Sequence, residues 1–130
     1  MKLASAFGIA ALALLASSAF AEDYVGGAIK TAEIGGKEVL TDAKGMTLYT
    51  FDKDAPGVTN CYDKCAVNWP PFPAAADAAA EGEWTIVDRT DGTKMWAYEG
   101  KPLYTYIDDK KAGDVTGEGK GGVWHVAKAD

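Results

Sequence analysis

Few residues of this 130-residue chain are of types and spacing that could do chemistry. Cys61 and Cys65 stand four apart in Cys61-Tyr62-Asp63-Lys64-Cys65. On a helix that spacing sets both on one face with α-carbons about 6 Å apart, inside the span of a disulfide. A structural bridge is the expectation for an exported chain. A redox dithiol is the competing reading, opposed by a spacing that is not C-x-x-C and by the lack of a preceding strand in a thioredoxin-like pattern. Two thiols alone do not fill a tetrahedral metal shell.

His125 is the one histidine and follows Trp124 on what reads as a short terminal strand, a place for a surface group rather than a catalytic base. Met46, Met95 and His125 are soft copper ligands by type, but no spacing gathers them. Asp52, Asp54, Asp108, Asp109 and Asp114 lack the spaced calcium loop with its closing glutamate, so solvated turns are their reading. No serine or cysteine has a nucleophile's context. The expectation is therefore no catalytic residue, no metal and no cofactor.

The strongest pattern is an internal repeat. At an offset of 55 residues, Gly45, Leu48, Tyr49, Thr50, Asp54 and Trp69 fall on Gly100, Leu103, Tyr104, Thr105, Asp109 and Trp124, with Phe51 and Tyr106 as aromatic equivalents. In an extended strand Leu48, Thr50 and Asp52 face one side while Tyr49 and Phe51 face the other. Asp54 and Asp109, just past their strands, suit acceptance of backbone N–H groups in the turns at Pro56-Gly57 and Ala112-Gly113. The first reading of the pattern is a folding signature of core aromatics with a turn-fixing carboxylate. The second is a ligand cleft between the halves lined by Tyr49, Tyr104, Asp54 and Asp109.

The elements that position these residues read as strands. Ala28 to Ile34, a Gly35-Gly36 turn and Lys37 to Thr41 form a hairpin, and Met46 to Phe51 follows. The second copy repeats the plan with Trp84 to Asp88, Lys94 to Tyr98 and Pro102 to Ile107, and Val123 to Ala127 adds a last strand. Between the copies, Asn60 to Asn68 reads as a short helix stopped by Pro70-Pro71, and Ala74 to Ala80 as a surface helix or a loose linker. Two copies are too few for a solenoid. The fold expected is mainly β: two pseudo-symmetric antiparallel β-meander repeats, about residues 28–72 and 84–127, packed as one domain with one or two short helices between them.

Met1-Lys2, an apolar stretch from Leu3 to Leu15, and Ala19-Phe20-Ala21 form a secretory signal pattern, with cleavage expected after Ala21 and a single domain over 22–130. The apolar stretch is shorter than the roughly 20 residues that span a bilayer. With no cysteine near the cleavage point, no membrane anchor is expected in the mature chain, which should be periplasmic or secreted. Thirteen basic against nineteen acidic residues, a net charge of -6 and no basic run exclude a nucleic-acid binder, which needs clustered Lys and Arg against phosphate.

Tyr49-Thr50-Phe51-Asp52-Lys53-Asp54, Tyr104-Thr105-Tyr106-Ile107-Asp108-Asp109, and Cys61 to Cys65 followed by Trp69-Pro70-Pro71 resemble the bacterial secreted-repeat lipoproteins with a Y-x-[FWY]-x-x-D motif. The resemblance spans about Val39 to Val126 and implies export and tandem copies, without an activity. The lipid-attachment cysteine of that family's usual form is missing here. The function expected is a non-catalytic periplasmic module that binds a small molecule, a metal ion or an envelope component. A thiol-disulfide factor using Cys61 and Cys65 is the first alternative. A purely structural interaction module, recruiting a partner at the Val123 to Ala127 edge, is the second.

Overall fold

The computed structural model describes residues 22–129, so the expected signal peptide lies outside the described residues. In chain order the elements are β1 (Asp23–Tyr24), β2 (Ile29–Ile34), β3 (Lys37–Asp42), β4 (Tyr49–Phe51), the helix α1 (Lys64–Asn68), β5 (Trp84–Asp88), β6 (Lys94–Tyr98), β7 (Lys101–Pro102) and β8 (Trp124–Val126). The protein is mainly β, and among the described residues the strands are antiparallel throughout and are joined by one short α-helix and two single-turn 3-10 segments. Among the described residues no helix is long and apolar enough to cross a membrane.

The repeats open with the β2–β3 and β5–β6 hairpins, and two-residue loops close the β2–β3 and β6–β7 turns. Gly35-Gly36 joins β2 to β3, and Glu99-Gly100 joins β6 to β7. Both central residues of each loop have positive φ, 61° and 81° in the first, 52° and 83° in the second. That is the turn type whose twist matches paired strands, which is why glycine recurs there. The β2–β3 ladder runs from Ile29↔Asp42 to Ile34↔Lys37, and the β5–β6 ladder from Trp84↔Tyr98 to Asp88↔Lys94.

The closing strand of each repeat leaves its own hairpin and pairs with the other repeat. In the first sheet Leu48 N–H bonds to the Leu40 carbonyl at 3.0 Å, Leu40 N–H to Ala127 at 2.9 Å, and Ala127 N–H back to Leu48 at 2.8 Å. In the second, Leu103 N–H bonds to Trp96 at 3.0 Å, Trp96 N–H to Phe72 at 3.0 Å, and Phe72 N–H back to Leu103 at 2.9 Å. Phe72 and Ala127 are 55 residues apart, the repeat offset, so they are equivalent strands that have traded places. The meanders are thus interlaced rather than stacked side by side. β4 correspondingly pairs with β8, Tyr49↔Val126 to Phe51↔Trp124.

Both cycles lie in one apolar cluster with Ile29, Leu40, Leu48, Phe72, Trp84, Trp96, Leu103 and Ala127 buried. A second cluster holds Tyr49, Cys61, Trp69, Val87, Met95, Ala97, Tyr104, Tyr106 and Trp124. Burial of such side chains contributes about 25 cal/mol per Å² of apolar surface removed from water, the main stabilising term. Leu48 and Tyr49 point to opposite faces, yet both are fully buried, because the strand runs between the two clusters.

Several strands are shorter than the sequence suggests. The Met46 to Phe51 stretch is a strand only over Tyr49–Phe51, with Thr47 bridged to Thr41, and the Pro102 to Ile107 stretch ends its ladder at Pro102. Each chain bends there to cross between sheets. Ala74 to Ala80 forms no helix: Ala78 is half-buried against the core and Asp77 is exposed. With one small face buried and no long apolar stripe, the segment has nothing to hold a helix in place.

Candidate functional site

The repeat motif converges on the centre of the molecule. Tyr49 and Tyr104 are 0% exposed and exchange backbone bonds, Tyr49 N–H to the Tyr104 carbonyl at 2.7 Å and Tyr104 N–H to the Tyr49 carbonyl at 2.9 Å. Their hydroxyls cross over. Tyr49 donates to Asp109 Oδ2 at 2.7 Å and Tyr104 to Asp54 Oδ2 at 2.5 Å, so each repeat's tyrosine bonds the other repeat's aspartate.

The aspartates also fix loops, by reaching further than the adjacent turns. Asp54 Oδ1 accepts Asn60 N–H at 2.7 Å, and Asp109 Oδ1 accepts the Thr116 N–H at 2.9 Å and its hydroxyl at 2.6 Å. These are the carboxylate's roles in place of the expected Pro56-Gly57 and Ala112-Gly113 amides. The tyrosine hydroxyls are further satisfied by Gly117 N–H at 3.1 Å on Tyr49 and by Thr59 Oγ1 at 2.6 Å on Tyr104.

Burial and the bond to Asp109 push the Tyr49 phenol well above its ordinary range, and burial and the bond to Asp54 do the same to Tyr104. Burial also raises Asp54, against the lowering effect of the Tyr104 and Asn60 bonds and the nearby Arg89 charge. A phenol held protonated is a fixed donor, not a general base.

Four rings stack through this centre in the order Phe51, Trp124, Trp69, Tyr106. Trp69 and Trp124 are 3.8 Å apart and 2° from parallel, Phe51 lies 4.2 Å from Trp124, and Tyr106 lies 4.0 Å from Trp69. Each contact has its repeat-equivalent. Tyr49 meets Trp69 edge-on at 5.3 Å as Tyr104 meets Trp124 at 5.1 Å, and Tyr49 meets Tyr106 at 6.2 Å as Tyr104 meets Phe51 at 6.5 Å. No cleft separates Tyr49, Tyr104, Asp54 and Asp109; the repeats close on one another at these four residues.

Cys61 and Cys65 are bridged, with α-carbons 5.2 Å apart. The helical premise for that pairing needs correction, since α1 starts at Lys64 and Asp63, at φ 55°, breaks the chain just before it. Cys61 is fully buried and Cys65 half-buried. Trp69 N–H caps the helix by bonding to Cys65 C=O at 2.7 Å, so the bridge sits at the base of the central stack.

Sequence reasoning passed over Arg89, the only arginine in the chain. It is buried beneath Tyr62, its guanidinium carbon 4.3 Å from the ring centre, and Nη1 donates to the Cys61 carbonyl at 3.2 Å. Nε has no hydrogen-bond partner and lies 3.7 Å from Asp91 Oδ2. The available signal was compositional: a single arginine in a turn of an acidic chain otherwise furnished with lysine.

A polar surface to which both repeats contribute lies beside β4. Two adjoining depressions, about 260 and 280 Å³, have Thr50, Asp52, Glu99 and Lys101 in common. Asp54 and Pro56 line the first; His125 and Lys128 line the second. His125 is 43% exposed, and its Nε2 is 2.8 Å from Asp52 Oδ2. Its Nδ1 is 3.8 Å from Glu118 Oε2. The repeat-equivalents of Asp52 and His125 are Ile107 and Pro70, so this surface breaks the internal symmetry. Met46 and Met95 are not gathered with His125 here, and no group of three or more His, Cys, Asp or Glu placed to hold a metal occurs among the described residues.

The outer edge of β8 is closed from within. Glu118 Oε1 accepts Val126 N–H at 2.8 Å, and Gly119 N–H bonds to the Trp124 carbonyl at 2.8 Å.

Interlaced β hairpins around a crossed Tyr–Asp centre define a two-repeat β module. The family model described as a secreted repeat of unknown function matches residues 30–72 and 85–128, more than half of the chain, and the chain belongs to that family. No curated protein and no solved structure is similar enough to count as a match.

Proposed function

We propose that this protein is a non-catalytic module of the periplasm or extracellular space. In this reading Tyr49, Phe51, Asp54, Tyr104, Tyr106 and Asp109, with Trp69 and Trp124, lock the repeats together, and a small polar ligand occupies the surface beside β4. One observation carries the reading: the motif's tyrosine hydroxyls are taken up by its own carboxylates, while Thr50, Asp52, Glu99, Lys101 and His125 line a polar groove to which both repeats contribute. Its mixed charge suits a molecule carrying both an anionic and a cationic group, since Lys101, Lys128 and Asp52 all line the second depression.

The test is paired native and denaturing mass spectrometry on protein recovered from its own exported compartment. A reproducible extra mass that unfolding removes, retained in Tyr49→Phe but lost in Lys101→Glu and Asp52→Lys, supports the reading. Loss in Tyr49→Phe with retention in the groove variants moves the ligand to the motif and overturns it. The bare chain in every sample excludes a tightly held ligand.

A further inference from the structure

We infer that a second copy of this chain is a binding partner, joined by exchange of repeats. In the exchanged pair, each centre is built from residues 22–74 of one copy and residues 84–129 of the other. The inference goes beyond the groove reading and does not depend on it.

Three observations carry it. First, the contacts at the centre of the molecule are reciprocal: the two cycles of backbone bonds, the crossed Tyr49–Asp109 and Tyr104–Asp54 bonds, and the paired ring contacts. The first repeat therefore recognises any second repeat of this sequence, with no contact specific to its own chain. Second, the disulfide closes within the first repeat, so nothing covalent joins the repeats except the chain between them. Third, that chain makes few contacts of its own. After Ala74, whose N–H bonds to the Lys94 carbonyl, residues 75–83 contribute one short turn at Ala75–Ala78, the packing of the small Ala78 side chain on the core, a bridge from Glu81 to Trp84, and a Glu83 carbonyl bond to Glu99 N–H before β5 begins.

Exchange thus preserves nearly every bond between the repeats and alters only the path of the connection. Such closed reciprocal swapping is a low-cost route to a dimer when an identical element is traded. The closed monomer wins at low concentration, because a short linker holds the partner repeat at an effective concentration in the millimolar range. Refolding near that concentration lets a neighbouring copy compete. Once formed, the exchanged pair persists on dilution, since return requires both clusters to open.

The experiment uses the full exported chain with a protease site placed within residues 75–83, prepared unlabelled and fully 15N-labelled. The two are unfolded with the disulfide intact, mixed in equal amounts, and refolded from micromolar to millimolar concentration. Native mass spectrometry is expected to show dimers whose share rises with refolding concentration. Nicking the connection should then split those dimers into monomer-sized particles, about half of them holding one light and one heavy repeat, as random pairing requires. Two results overturn the inference: a monomer at every concentration, or dimers whose nicked products remain dimeric or are wholly light or wholly heavy. The nicked monomer is the internal control, because the interlaced strands keep its two fragments together.

Discussion

Tyr49 and Tyr104, 55 residues apart, meet backbone to backbone at the middle of the molecule, and each sends its hydroxyl to the aspartate that belongs with the other. The arrangement converts a local sequence motif into a long-range link. Tyr–Asp pairs within one repeat would stabilise that repeat alone; crossed pairs make each repeat's loop geometry depend on the presence of its partner. Asp54 holds the chain that leads into the disulfide, and Asp109 holds the chain that leads to Gly117, so both loops are fastened through the same two phenols.

Removing one hydroxyl tests that dependence. Tyr49→Phe and Tyr104→Phe should each lower the unfolding free energy by about 1–3 kcal/mol, the cost of leaving a buried carboxylate oxygen without its donor. Each also removes a second partner, the Tyr49 hydroxyl accepting from Gly117 N–H and the Tyr104 hydroxyl bonding Thr59 Oγ1, so the two costs should be similar. Urea unfolding followed by fluorescence measures both. A change within a few tenths of a kcal/mol would mean that the crossed bonds add nothing beyond ring packing.

Alkaline pH reaches the same bonds without mutation. Tyr49 and Tyr104 have folded pKa values above the unfolded phenol value, so the native state binds more protons than the unfolded chain once pH exceeds about 10. Their contribution is complete below that pH and is lost as pH rises further. Tyr24, raised to about 12 chiefly by its bond to Glu22, acts in the same direction. Absorbance titration of the six tyrosines should show Tyr49 and Tyr104 ionising only together with unfolding. Reversible ionisation of all six in a folded protein would contradict their burial.

The bridge between Cys61 and Cys65 closes a very small loop, so its effect on the unfolded chain is modest, about 2 kcal/mol on the loop-entropy relation. Cys61→Ser with Cys65→Ser should reduce stability by about that amount while keeping the fold, since Trp69 and Tyr106 stay stacked above the site. Mild reductant should leave the folded protein bridged, because Cys61 is fully buried. Ready cycling between thiol and disulfide in the native state would instead favour the redox reading.

The hairpins were legible because their code is local: Gly35-Gly36 with flanking β-branched residues, and a glycine after Glu99, specify two-residue turns within a few positions. The repeat was legible too, through identical residues at a fixed offset. The exchange of Phe72 and Ala127 was not, because equivalent strands in equivalent surroundings leave the same pattern whether they close on their own hairpin or on the other one. At the centre, burial of Tyr49 could be expected from alternation, whereas its choice of Asp109 over Asp54 is a matter of three-dimensional geometry alone. Arg89 escaped notice because a lone cation in a turn reads as solvated, and only the fold brings Tyr62 and the Cys61 carbonyl over it. The asymmetric pair Asp52 and His125 was hidden in the positions where the repeats disagree.

The loop at Gly117 closes tightly on the ring stack. A Cβ added at Gly117 would lie 2.6 Å from Trp69 Cη2, 2.9 Å from Cζ3 and 3.0 Å from Tyr106 Cδ2. At the two Trp69 distances something must shift, and Trp69 is held between Trp124 and Tyr106 in the stack. Gly117→Ala should therefore destabilise by about 1–3 kcal/mol as an overpacking change, although the backbone there is not left-handed. The same glycine donates its N–H to Tyr49 Oη, so the shift would strain the crossed bond as well. Trp69→Phe removes the two indole atoms nearest the added methyl, at the expense of ring area in the stack. The two substitutions together should then cost less than the sum of their separate effects, a coupling readable in a double-mutant cycle. Simple additivity would show that the column yields by sliding as a unit. The coupling would show that Gly117, 48 residues from Trp69 in sequence, is a glycine because an indole ring occupies the place of its side chain.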